Sequence, residues 1–276
     1  MIATRSSYDI PGWARILYAA FCAAVMVFLA APILAIIPLS FNAEPYFSYP
    51  IERFSTRWYE EFLFSGQWQL AAKNSVIVGI LATALATLLG TMAALGLWKM
   101  RRSAKAVIMT IVISPLAVPV VISGVAMFYA FSRLGLTNSL SGLVLAHAAL
   151  GVPFVVITVS AMLGGTDENL IRAGSSLGET PIRVFFKVTL PLILPGVVSG
   201  ALFAFATSWD DVVAALFLAG AEQFTLPRQM WSGIREYINP TLLAVAAVLT
   251  LVSLLLTLFV DALNERAARL RAVQGE

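Results

Sequence analysis

Charge, cysteine and histidine are all scarce in this chain. Of its 276 residues only 12% are Asp, Glu, Lys or Arg, against roughly 25% in a soluble globular domain. Cys22 is the single cysteine, so an intrachain disulfide is excluded. His147 is the single histidine, which leaves little material for a zinc site or a Cys/His catalytic pair. No Gly-x-x-x-x-Gly-Lys-Ser/Thr loop occurs, so the chain does not bind ATP by that device. No internal sequence repeat is evident either, and many secondary carriers are built from such repeats.

Apolar residues fill the space left by charge. They make up 59% of the chain, and the mean hydropathy of +0.87 marks a polytopic membrane protein. The simplest organisation is a single transmembrane domain over 1–276, all-α, because only helices and closed barrels satisfy their backbone groups in lipid. Six runs are long enough to cross a hydrocarbon layer of about 30 Å at 1.5 Å per residue. They fall at 16–39, 75–97, 106–131, 140–163, 192–218 and 241–263. The first is too long for the core of a signal peptide and reads as an uncleaved span. Pro115 and Pro119 are expected to kink the third.

Between the first two runs, 41–73 is rich in rings: Tyr46, Phe47, Tyr49, Phe54, Trp58, Tyr59, Phe62, Phe64 and Trp68. Rings favour the headgroup level; membrane anchoring and contact with an extracytoplasmic protein are both readings of this loop. With the N-terminus inside, twelve Lys and Arg lie on inner segments and six on outer ones. That is the direction of the positive-inside rule, and it makes both termini and the loop at 164–191 cytoplasmic.

That loop is the most informative stretch. Thr166, Asp167, Glu168 and Asn169 suit a helix start. Leu170, Ile171, Ala173, Gly174 and Leu177 then recur at helical spacing. Gly178 ends this helix, and Thr180 with Pro181 opens another. Pro191 and Pro195 close the stretch at the mouth of the fifth run. The shape is two short helices about a glycine hinge, and on shape alone an interfacial helix pair fits equally well.

The residues resemble the signature loop of ABC-importer permeases: Glu-Ala-Ala, three residues, Gly, nine residues, then Ile-x-Leu-Pro. Arg172, Ala173 and Gly174 stand at the Glu-Ala-Ala positions, Gly178 is the glycine, and Val188-Thr189-Leu190-Pro191 follows at the required spacing. Arg172 replaces an acid and Gly174 an alanine. In the family this is the coupling helix region, seated in a groove on the ATPase subunit. The resemblance implies that Arg172, Ala173, Gly174, Leu177, Gly178 and Pro191 serve coupling, with Leu177 and Gly178 at the docking tip. Gly178→Asp is then expected to abolish uptake, whereas a carrier without an ATPase would be spared.

The fifth run carries Trp209, Asp210 and Asp211. A charge at the bilayer centre costs roughly 2.5–3.5 kcal/mol on insertion scales. The pair therefore either lines a cavity suited to a cationic solute or positions the outer end of a helix. Tyr129 and Trp231 offer ring faces to a cation, and His147 is a packing hydrogen-bond donor or a proton relay. The segments 209–219, 225–231 and 234–240 look like the fifth-span and outer-loop segments of polyamine-type permeases, the spermidine/putrescine importers, and the chain is similar to their second permease subunit.

The resemblance implies six helices in the type I ABC importer permease architecture, in a bacterial inner membrane. It also implies a second homologous permease, two ATPase subunits that bind the ATP, and a periplasmic substrate-binding protein. No cofactor, metal, catalytic residue or nucleic acid is expected for this chain, and lipid is its other neighbour. Trp209, Asp210, Asp211 and Tyr129 become the substrate-path residues. An opine, 4-aminobutyrate or another small amine would suit the same machine. A proton-coupled carrier using Asp210, Asp211 and His147, and a channel or scaffold, are the rivals from other classes.

Overall fold

In the computed structural model of the chain, which describes residues 12–46, 48–236 and 239–274, helix dominates and no strand occurs among the described residues. Arg5, Phe47 and Tyr237 lie outside them. The helices are α1 (Gly12–Leu39), α2 (Arg57–Phe64), α3 (Gly66–Trp98), α4 (Arg102–Ala117), α5 (Val120–Arg133), α6 (Leu140–Gly164), α7 (Glu168–Ser176), α8 (Pro181–Val184), α9 (Leu190–Asp210), α10 (Val213–Leu218), α11 (Leu226–Glu236) and α12 (Thr241–Gln274). Five rods are long and apolar enough to cross a membrane: α1, α3, α6, α12 as far as Phe259, and the rod from Pro181 to Asp210. The pair α4 and α5 is long and apolar enough only when its two halves are taken together, and it is a sixth span if they cross as one.

Several of the expected boundaries change. The third run is not one kinked helix: α4 and α5 meet at 105°. Pro119 explains the sharpness, because its ring disfavours helical geometry at the residue before it, and Val118 is extended at φ −79°, ψ 133°. The fifth run is not continuous to 218: Asp211 leaves helical geometry at ψ 126°, and α10 starts afresh at Val213. Nor do Pro191 and Pro195 separate the loop from its span. A π turn at Phe185–Thr189 carries the helix from α8 into α9, with Leu190 N–H donating to Phe185 O. The wider turn lets Pro191 follow at the head of α9 without ending the helix.

α3, α6 and α9 form the centre. Small residues let their backbones close up, as expected for helices packed in lipid. A Cβ on Gly90 would lie 2.6 Å from Val155 Cβ, one on Gly151 2.9 Å from Ala204 Cβ, and one on Gly200 2.8 Å from Val155 Cα. Ala86, Val155, Val159 and Ile193 are fully buried among them. Gly200→Leu would force α9 from α6, and overpacking of this kind costs about 1–3 kcal/mol. A lowered thermal unfolding midpoint of the purified protein is the expected result.

The outer loops are stitched to the top of α3. Asn74 Nδ2 donates to Glu222 O at 2.9 Å and Phe224 O at 3.0 Å, and Leu226 N–H donates to Ser75 Oγ at 2.7 Å. Three of the loop rings join this packing instead of facing headgroups: Trp58, Phe62 and Trp68 are buried, the last two against Leu226, Leu242 and Val245. Tyr46, Tyr49, Phe54 and Phe64 remain exposed.

Candidate coupling and translocation sites

The elbow between α7 and α8 has the expected local causes. Asp167 caps α7 by accepting from Asn169 N–H at 2.9 Å. Leu177 N–H closes the last turn onto Ala173 O. Gly178 follows at φ +81°, a left-handed conformation that suits a residue without Cβ. Pro181 occupies the first turn of α8. The elbow presents apolar side chains outward: Leu177 is 85% exposed, and Leu170, Ile182 and Phe186 are exposed around it. A cleft of about 450 Å³ lies between the elbow, at Ile171, Ser175 and Phe185, and the inner end of α3, at Trp98 and Lys99.

Charge on the elbow is paired within the chain. Arg172 donates to Glu168 Oε2 at 2.9 Å, one turn earlier, with both side chains exposed. Ala173 is exposed, whereas Gly174 faces α8, and a Cβ there would sit an ordinary 3.5 Å from the Val184 methyls. An alanine therefore fits at Gly174. Glu179 receives both Lys187 Nζ at 2.7 Å and Arg183 Nη1 at 3.4 Å. The hydrogen bond from Lys187, helped by its charge and by the Arg183 bond, outweighs desolvation and holds the Glu179 carboxyl below its usual range. A lowered folded value means that the contact is complete at neutral pH and is lost as the pH falls through that value. Amide protection over 177–189, with the pH dependence of intrinsic exchange divided out, should therefore hold at neutral pH and fall in acid below the ordinary glutamate range. Glu179→Gln should exchange faster at neutral pH and lose the acid step.

At the other end of α9, the break gathers the polar groups. Asp210, the last residue of α9, is exposed. Asp211 turns the other way: its side chain is 8% exposed, and Oδ2 accepts from Ala214 N–H at 2.9 Å and Ala215 N–H at 3.3 Å, capping α10. His147, on α6 and 1% exposed, pairs Nδ1 with Ser208 Oγ at 2.8 Å and directs Nε2 at Asp211 Oδ2 from 3.6 Å. Two adjacent carboxylates thus meet different surroundings, one in a polar cluster and one on the open side.

Trp209 and Tyr129 are not gathered with Asp210. Trp209 is 8% exposed and stacked on Phe205 with ring centroids 5.5 Å apart. Tyr129 is 67% exposed on α5. Gly124 is the α5 residue that meets Phe217 and Val213 of α10, and five residues later the helix has turned about 140° away from that face. Ser208 belongs to the cluster and went unnoticed in the sequence, where a lone serine among apolar residues carries no signal.

Comparisons with known proteins agree with this geometry. The spermidine/putrescine transport system permease protein PotC of Haemophilus influenzae is 31% identical over 86% of this chain and 92% of its own length. The putrescine transport system permease protein PotI of Escherichia coli K12 is 33% identical over 80% of this chain and 81% of its own. The molybdenum transport system permease protein ModB of Mycobacterium bovis is 34% identical over 70% and 79%. In fold the chain is similar to a bacterial ABC transporter involved in the import of the acidic polysaccharide alginate, at TM-score 0.71 and 16% identity over 96% of this chain and 99% of that one. The inward-facing MetNI methionine ABC transporter matches at TM-score 0.59 and 20% identity over 76% and 97%. The model of the family matches residues 86–270, well over half of the chain, and the chain belongs to the binding-protein-dependent transport system inner membrane components.

Proposed function

We propose that this chain is one of two permease subunits of an ATP-driven importer in a bacterial inner membrane, and that it forms half of the path for a small cationic amine, a polyamine such as putrescine or spermidine. The relatives PotC and PotI are named for those amines. Kinship alone does not choose the solute, since ModB and the alginate transporter are named for others. The observation that carries the choice is Asp210, an exposed carboxylate at the break in the fifth span. A fixed anion there attracts an amine cation and repels an acidic solute.

The other parts of the machine follow. Two ATPase subunits bind the ATP, and the elbow at Leu177 and Gly178 docks on one of them. Closure of the ATPases moves the spans as rigid bodies between inward-open and outward-open states. Arg172 and Ala173 stand on the exposed side of α7, Gly174 lets α7 close onto α8, and Pro191 lies where the rod enters its span. A second permease supplies the facing wall of the path, and a periplasmic binding protein delivers the amine. Trp209 supports the α9 end from inside, while Tyr129, turned away from α10, stands apart from Asp210. The test is uptake of labelled putrescine by the reconstituted complex. Uptake that needs ATP and the binding protein, with competition by spermidine, is expected. ATP hydrolysis without amine uptake would contradict the solute, and uptake without ATP would contradict the importer.

A further inference from the structure

Asp211, Ser208 and His147 meet at the break between α9 and α10 and have no part in docking or ATP use. Resting on the reading of Asp210 given above, we infer that His147 is a positioning residue: it holds Asp211 against the cap of α10 and leaves Asp210 as the one carboxylate of this pair that faces the solute path. Three observations carry this.

The first is the shared oxygen. Asp211 Oδ2 accepts from Ala214 and Ala215 N–H, and the same oxygen is the one His147 Nε2 faces at 3.6 Å. That distance is an electrostatic contact and not a hydrogen bond. The second is the anchoring of the ring. Ser208 Oγ lies 2.8 Å from Nδ1, and His147 is 1% exposed, so the imidazole is fixed from the α9 side while its backbone belongs to α6. With the Ser208 hydroxyl donating to Nδ1, the ring proton sits on Nε2 and points at the carboxylate. The third is the contrast between neighbours: Asp210 is exposed while the Asp211 side chain is 8% exposed.

Without the ring, Asp211 would keep two backbone donors but lose the group that closes its other side, and it would swing toward the path. A second carboxylate there deepens the resting place of a cation and slows its release. The maximal rate of uptake then falls while the half-saturating amine concentration does not rise.

Substitutions at 147 separate positioning from folding. Asn retains a group at the Nδ1 position, for Ser208, but does not reach Asp211; Gln reaches the Nε2 position. In the complete importer, with uptake of putrescine divided by the amount of chain in the membrane, His147→Asn is expected to lower the maximal rate about ten-fold, and His147→Gln about two-fold at most, the span expected when contacting groups are uncoupled. Adding Asp211→Asn to His147→Asn should bring the rate back to within about three-fold of the parent, because an uncharged amide can still cap α10. His147→Asn at the parental rate, or a double variant as slow as His147→Asn, would overturn the inference. Asp210→Asn is measured beside them. If it alone matches the parent, the solute-path reading falls, while recovery of His147→Asn by Asp211→Asn would still establish the hold on Asp211.

Discussion

Gly178→Val is expected to cut ATP-driven uptake by about ten-fold, and by no more than about thirty-fold, while the spans stay folded. Gly178 stands at φ +81°, and nothing lies within 4 Å of the Cβ position. The effect is therefore conformational and not a clash. A β-branched residue in left-handed geometry costs about 1–2 kcal/mol, and the chain avoids that cost by re-aiming the elbow. Leu177, exposed at the tip, then leaves its docking position, and each 1.4 kcal/mol lost from docking is about a ten-fold loss of engaged complex. Gly178→Asn is the control, since Asn visits the left-handed region readily; it should keep uptake within about five-fold, the cost of a fraction of that strain. Asp tolerates the conformation too but places a negative charge at the tip, so the Val and Asn pair separates backbone geometry from charge. Uptake and the ATPase retained on affinity purification should fall together for Val. Retention of both would remove the elbow from the coupling path.

Asp210→Asn is expected to lower amine uptake about ten-fold, corresponding to about 1.4 kcal/mol of lost attraction for the cation at its most demanding point on the path. The exposed carboxylate makes no ion pair with the described residues, so its loss leaves no partner charge unsatisfied. Stability should change little, and Asp210→Glu should keep most of the rate. The same substitution at 211 has another origin of effect. Asp211→Asn keeps an oxygen that can cap α10 and removes only the charge that His147 faces, so any defect should be a small one in stability and not one in the dependence on amine charge. Paired measurements of uptake and thermal unfolding for the two variants distinguish them.

The apolar runs and the elbow were legible in the sequence because each has a local cause. Spans come from length and hydropathy, and the elbow from Asp167, Gly178 and Pro181 at cap, left-handed and first-turn positions. What was not legible depends on contacts between distant parts of the chain. Residues 192–218 read as one run, and the break at Asp211 becomes intelligible only with His147 of α6 beside it. Pro119 signalled a bend, yet the 105° turn also needs an extended Val118. Trp58, Phe62 and Trp68 looked like headgroup rings until Leu226, Leu242 and Val245 closed over part of that group from far along the chain. The first turns of α3 are polar, so hydropathy placed its start at 75 and not at Gly66. Pro191 looked like a boundary because the π turn before it has no sequence signature.

Co-purification of this chain from native membranes, with every partner identified by mass, tests the central claim most directly. The expected result is recovery of an ATPase, a second six-span permease and a periplasmic binding protein, with the ATPase lost for Gly178→Val. A chain recovered alone, and active in liposomes without nucleotide, would contradict the importer and return Asp210, Asp211 and His147 to the centre as a proton-coupling path.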